Sequence, residues 1–320
     1  DDSHELGALL AAAWPDRVAM RRPGRGSDGD RIPYLMTNGR EGQLPPRSPL
    51  GDAEFLVVAE ADGEARRATI RLAVATDRAT VVAASGDRIR WHDHVAWDDR
   101  TSTVTAERQQ RLGALILHRQ PLADPDPDLV TAAIADGLGR RGLDLLPFTD
   151  AALDVRARLA WLHAEDPDGW PPVDDAALLS DLDRWLDLSR CRQPADLDRL
   201  DVASSLLNVL DWHQRAAFDR QAPTHLTLLD GRRRPIGYRT GRPVCPVRIQ
   251  SLLGVDVHPT VGPNLTPITL ELLSPANRPA QVTDDLPGFW RGSYTQVRAE
   301  LRGRYPKHRW PQDPLHPDRG

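Results

Sequence analysis

Lysine is almost missing from this chain: of its 41 basic residues only Lys307 is not an arginine. That lysine stands between Pro306 and His308, whereas a nucleotide-hydrolysing motor needs a phosphate-cradling loop ending in Gly-Lys-Ser/Thr. ATP hydrolysis by this chain is excluded on that inventory. Cysteine is scarce as well. Cys191 and Cys245 stand far apart in unrelated contexts, so their spacing argues for neither a disulfide framework nor a CxxC metal site, and both read as small buried hydrophobes. No apolar run reaches 18 residues, and Asp1-Asp2-Ser3-His4-Glu5 lacks the layout of a signal peptide; no membrane insertion is expected, and a cytoplasmic location is the default. A G-x-S-x-G elbow is absent too, and no histidine has a nucleophile at a spacing that nominates a catalytic pair.

What is present can build a sizeable core. With 320 residues and 40% hydrophobic content, the length suits two or three domains. The net charge of −5 hides a segregation. Residues 126–230 carry 10 Arg against 20 Asp/Glu, a net −10, and residues 231–310 carry 13 Lys/Arg against 5 Asp/Glu, a net +8. The basic segment suits a phosphate-bearing partner, or it docks on its acidic neighbour; the sequence leaves both open. Preference for arginine reads first as base composition, although the guanidinium fork also suits phosphates and stacked bases.

Residues 5–22 show helical spacing at Leu6, Leu9, Leu10, Ala13 and Trp14 until Pro15 interrupts it, so 1–22 reads as the end of a helical-bundle domain and the chain as a fragment. Residues 23–31 form a Gly/Asp/Arg-rich loop, expected to be mobile. From Ile32 to Pro121 the period becomes two, in runs such as FLVVAEAD, ATIRLAVAT and RIRWHDHVAW, which predicts a five-stranded OB-like antiparallel β-barrel within 23–123. A proline-stiffened linker follows, with Asp128 as a helix N-cap, and then a helical segment over 124–222 in which Trp161, Trp185 and Trp212 hold apolar positions and read as core. Strands and short helices return in a small C-terminal α+β domain, 223–320. The fold class is therefore α+β multidomain.

Three patterns invite chemistry. Gly137-Leu138-Gly139-Arg140-Arg141-Gly142 matches G-x-G-x-x-G, but a helix rather than a strand precedes it, so the glycines read as a helix end. His92 and His94 share a strand face without a third ligand at motif spacing, which makes two exposed histidines beside Trp91 the ordinary reading. Basic and aromatic residues interleave at Arg232, Arg233, Arg234, Tyr238, Arg239 and Arg242, and again at Arg298, Arg302, Arg304, Tyr305, Lys307, His308, Arg309 and Trp310. Arginine on phosphate with Tyr or Trp under a base is single-strand chemistry; a charged helix with a packed aromatic tail is the plainer alternative.

The blocks LLSPANRP, QVTDDL, FW and GRYPKHRWPQDP, in order within residues 272–314, closely resemble the C-terminal signature of HrpB-type DEAH-box RNA helicases. Upstream, VRIQSLLG, LLAAAWPDRVAMRR and YLMTNGREGQL are similar to segments of the same family, so the resemblance covers essentially the whole chain. It implies a parent that is an ATP-dependent, Mg-requiring RNA helicase whose two RecA-like motor domains hold the ATP and Mg. This region would hold no cofactor and no metal. Its implied partners are single-stranded RNA, the helicase's own RecA-like domains, or another protein on which a regulatory module docks.

Overall fold

In the computed structural model, residues 2–22, 31–62 and 67–317 are described, and they form two compact units, Asp1–Ala133 and Ile134–Gly320. Of the loop at 23–31, expected to be mobile, all but Arg31 lies outside the described residues.

The first unit opens with helix α1 (Asp2–Ala13), a short 3-10 turn at Pro15–Arg17, and strand β1 (Val18–Arg21). Strands β2 (Ile32–Met36), β3 (Glu41–Leu44), β4 (Phe55–Asp62) and β5 (Arg67–Thr76) follow, and the five close a barrel in the order β1-β2-β3-β5-β4. Within the barrel the β3–β5 pair is parallel and the other described pairs are antiparallel. Strand β4 shows why alternation builds this shape. Leu56 and Val58 point into a core with Ala19, Tyr34, Met36, Leu44 and Ile70, while Phe55 and Val57 point outward onto Ala11, Val18, Val81, Leu112, Leu115 and Leu117. The outer face is thus covered by α1, by helix α2 (Arg78–Ser85), capped by Asp77 accepting from Thr80 N at 2.7 Å, and by the sheet that follows.

That sheet corrects the expected barrel. Strands β6 (Arg90–Asp98), β7 (Thr103–Leu112) and β8 (Leu115–Pro121) make a separate antiparallel sheet, and the barrel recruits β1, from residues expected to be helical, instead. Pro15 ends the helix, and Val18–Arg21 then pairs with both β2 and β4. Gly113, in the β7–β8 turn at φ 54, meets the Thr37 backbone so closely that a Cβ would run into the Thr37 carbonyl oxygen, which also accepts from Ala114 N at 2.8 Å. Gly113→Ala is expected to cost about 2–4 kcal/mol, from left-handed strain plus a backbone overlap. A urea midpoint equal to that of the parent would refute this.

Helix α3 (Pro127–Arg141) crosses the unit boundary; Asp126, not Asp128, caps it, accepting from Asp128 N at 2.9 Å. Gly137 and Gly139 lie within the helix and Gly142, at φ 89, follows its end, so the G-x-G-x-x-G match is a helix terminus. Helices α4 (Asp150–Glu165), α5 (Asp175–Ser180), α6 (Leu182–Trp185), α7 (Val202–Leu206) and α8 (Trp212–Gln221) follow. Trp161 and Trp185 are buried as expected, but Trp212 is 77% exposed. Its run does not continue one helix: Asp211 accepts from Gln214 N and starts α8 afresh, so the earlier periodicity does not carry through.

The remaining elements are β9 (His225–Thr227), β10 (Arg233–Pro235), β11 (Val244–Arg248), β12 (Thr260–Val261), β13 (Thr266–Pro267), β14 (Thr269–Leu273), β15 (Pro279–Thr283), α9 (Leu286–Arg291) and α10 (Tyr294–Arg304). A three-stranded sheet runs β11-β14-β15, parallel at its first pair. The expected boundary at 222/223 falls inside the second unit. Contacts across that point include the Tyr238 ring 5.1 Å from the Trp161 ring, and Asn264 Nδ2 donating to the Glu165 carbonyl at 2.9 Å.

Candidate nucleic-acid interface

The first basic cluster is largely committed to holding the second unit together. Tyr238 is buried, its ring on Trp161 and its hydroxyl donating to the Pro223 carbonyl at 2.9 Å; burial pushes the phenol above its ordinary range. It offers no face to a base. Arg239 forks over helix α4, donating to the Asp154 carboxylate at 2.5 Å and to the Asp150 carboxylate and carbonyl at 3.1 and 2.7 Å. Those hydrogen bonds, Asp154 first, hold its guanidinium more firmly protonated than usual. Here the basic segment does dock on its acidic neighbour. Arg232 pairs with Asp230 at 3.5 Å, Arg233 lies 3.3 Å from His225 Nδ1, Arg234 is half-buried, and Arg242 is exposed.

The second cluster divides differently. Helix α10 begins at Tyr294, which is buried and donates its hydroxyl to the Pro311 carbonyl at 2.8 Å. Arg298 donates to the Trp310 carbonyl at 2.9 Å, and the Trp310 indole donates to the Tyr305 carbonyl at 2.9 Å. Trp310 is buried and Tyr305 half-buried, so the expected extended strip instead folds back on its helix. The cause is the ring of hydrogen bonds from Tyr294, Arg298 and Trp310, which draws the proline-bearing tail inward. Arg309 donates to the Pro317 carbonyl at 3.0 Å. What remains outward is Arg302, Arg304, Lys307 and His308, all exposed, with His308 edge-on to Tyr305 at 6.4 Å. Arg302, Arg304 and Lys307 have no carboxylate partner among the described residues.

Several carboxylates of the acidic helices are engaged locally. Asp174, Asp201 and Asp211 cap helices α5, α7 and α8. Asp175 pairs with Arg156 at 2.5 Å, and Asp219 with Arg158 at 2.6 Å. Arg158 is itself buried, lies over the Phe218 ring at 4.0 Å and donates to the Ala222 carbonyl at 2.7 Å. The two thiols follow expectation: both are buried, and desolvation raises Cys191 and pushes Cys245 up to about 11.

Sequence reasoning passed over one grouping. In β6, His92 and His94 point away from the face of Trp91, and no set of three or more potential metal ligands gathers among the described residues. Trp91 itself stands beside Arg108 and His118, drawn from three strands. Only alternation of Trp91 within a polar strand hinted at this, because cross-strand register is not written in any one segment.

A closed five-stranded barrel, an open sheet and a helical α+β unit define a multidomain α+β region. Residues 185–314 match the family model for the ATP-dependent helicase C-terminal domain, and residues 88–122 the model for the connector region of ATP-dependent RNA helicase HrpB. The curated ATP-dependent RNA helicase HrpB of Escherichia coli (strain K12) is 37% identical over 327 residues, covering 98% of this chain and 39% of the relative. A crystal structure of the E. coli DExH-box NTPase HrpB superposes with a TM-score of 0.61 at 37% identity, over 97% of this chain and 38% of that one. One of the Escherichia coli DEAH/RHA helicase HrpB gives 0.56 at 33% identity, over 95% of this chain and 38% of that one. Along nearly its whole length the chain is similar to the C-terminal region of HrpB-type ATP-dependent helicases, and it spans 39% of the length of the curated relative. No helix among the described residues is long and apolar enough to cross a membrane.

Proposed function

We propose that this region binds single-stranded RNA and guides it to the motor domains of a cytoplasmic HrpB-type helicase, which hold the ATP and Mg, while the region itself takes no part in hydrolysis. The observation that carries this reading is the cationic end of α10, where Arg302, Arg304 and Lys307 are exposed and have no carboxylate partner among the described residues. Cations left without partners supply the counterion-releasing charge that phosphate binding needs. The barrel adds support, since a five-stranded closure with non-sequential strand order is the build of OB folds that bind oligonucleotides.

A second reading, a protein-docking or regulatory module, is favoured by Trp212 and by Leu229, Val257 and Leu265, all large apolar residues facing solvent on the second unit. Anisotropy titration of a labelled single-stranded RNA against salt separates the two. Binding is expected to weaken with a log–log slope of about −0.7 per phosphate contact, and no phosphate is expected from ATP above a protein-free control, with or without RNA. Absent or salt-independent binding would favour docking; phosphate release would overturn the non-catalytic role.

A further inference from the structure

Side chains on the sheet β6-β7-β8 alternate between two faces, and the pairing register decides which residues share one. Trp91 lies opposite Gln110, and Gln110 opposite His118; in the neighbouring row Asp93 lies opposite Arg108, and Arg108 opposite Gln120. The Arg108 guanidinium carbon sits 5.9 Å from the Trp91 ring centroid, and the His118 imidazole meets that ring edge-on at 6.0 Å. Polar groups therefore hold the indole in place while 41% of Trp91 remains open to solvent. The ring belongs to neither apolar core of its unit.

We propose that Trp91 is a stacking platform for an unpaired base of single-stranded RNA, an inference that rests on the RNA-binding reading but concerns a different part of the chain. An open sheet face with an aromatic ring is a surface on which splayed bases stack, and stacking tolerates any base because each has a π-face. The groups around the ring fit that occupant. Gln110 and Gln120 offer both donors and acceptors to base edges, and Arg108 can stack alongside. Asp93 pairs with Arg108 at 3.5 Å and takes up part of its charge. Arg88, in the turn just before β6, is exposed and has no carboxylate partner among the described residues, so it remains for a phosphate. A protein partner would call for apolar residues around the indole, and in these two rows they are amide, imidazole, carboxylate and guanidinium.

The test uses the whole chain, a short labelled oligouridine and the same oligonucleotide carrying abasic sites. Trp91→Ala is expected to weaken binding about tenfold, the loss of one stacked base. Trp91→Phe is expected to restore most of it. Abasic sites are expected to weaken the parent chain but not Trp91→Ala further. The salt slope should stay the same in Trp91→Ala, because no phosphate contact is removed, and circular dichroism should show an unchanged fold. A folded Trp91→Ala chain that binds as tightly as the parent overturns the platform and leaves the RNA reading standing. A parent chain that binds no RNA at any salt removes both.

Discussion

Replacing Arg302, Arg304 and Lys307 together by Ala is expected to lower the magnitude of the salt slope for RNA binding by about 2 units, at ~0.7 per lost phosphate contact. If each cation acts only through counterion release, that corresponds to roughly a hundredfold weaker binding at ~0.1 M salt. All three side chains are exposed and make no hydrogen bond among the described residues, so circular dichroism and the urea midpoint should match those of the parent. Arg298 is left out deliberately. It stands one helical turn from Arg302, but it is half-buried and holds the Trp310 carbonyl, so its loss would confuse binding with a loosened tail. Anisotropy across a salt series decides the matter. A folded triple variant that binds like the parent at every salt concentration would make the docking module the better reading.

Trp290→Ala is expected to destabilise the second unit by about 3–5 kcal/mol, the range for removing a large aromatic from a core. The ring is buried between Phe289 and Tyr294, with centroids at 5.0 and 5.2 Å, and its indole donates to the Val255 carbonyl at 2.9 Å. Truncation leaves both a cavity and an unpaired carbonyl. Trp212→Ala, at an exposed ring, should shift the midpoint little. Urea denaturation followed by circular dichroism checks both, and equal midpoints for the two variants would contradict this account of the core.

The contrast explains what the family signature records. LLSPANRP is a strand, a tight turn and a strand: Ser274 N donates to the Arg278 carbonyl at 2.8 Å, Asn277 takes φ 59, and Arg248 donates to its side chain at 2.8 Å. In QVTDDL the second Asp, Asp285, caps α9 by accepting from Gly288 N at 2.9 Å. GRYPKHRWPQDP folds back through Tyr294, Arg298 and Trp310. Most of the residues that made the chain recognisable therefore build the fold, and the outward cations among them are few.

Local patterns determined what depends on neighbours in the chain: the strand period of FLVVAEAD and ATIRLAVAT, the glycine that ends α3, and the family blocks. These follow from side-chain alternation and from hydrogen bonds spanning three or four residues. Tertiary structure alone decided that residues 18–21 close the barrel, that 90–121 form a sheet of their own, that Tyr238 and Arg239 brace the second unit, and that Trp91 meets Arg108 and His118. Each of those depends on register, burial or ion pairing between segments well separated in sequence. Arg239 shows the reason most clearly: its basicity is legible in the sequence, but whether that charge faces solvent or a carboxylate is set by Asp150 and Asp154, which folding brings to it across |i−j| of 89 and 85.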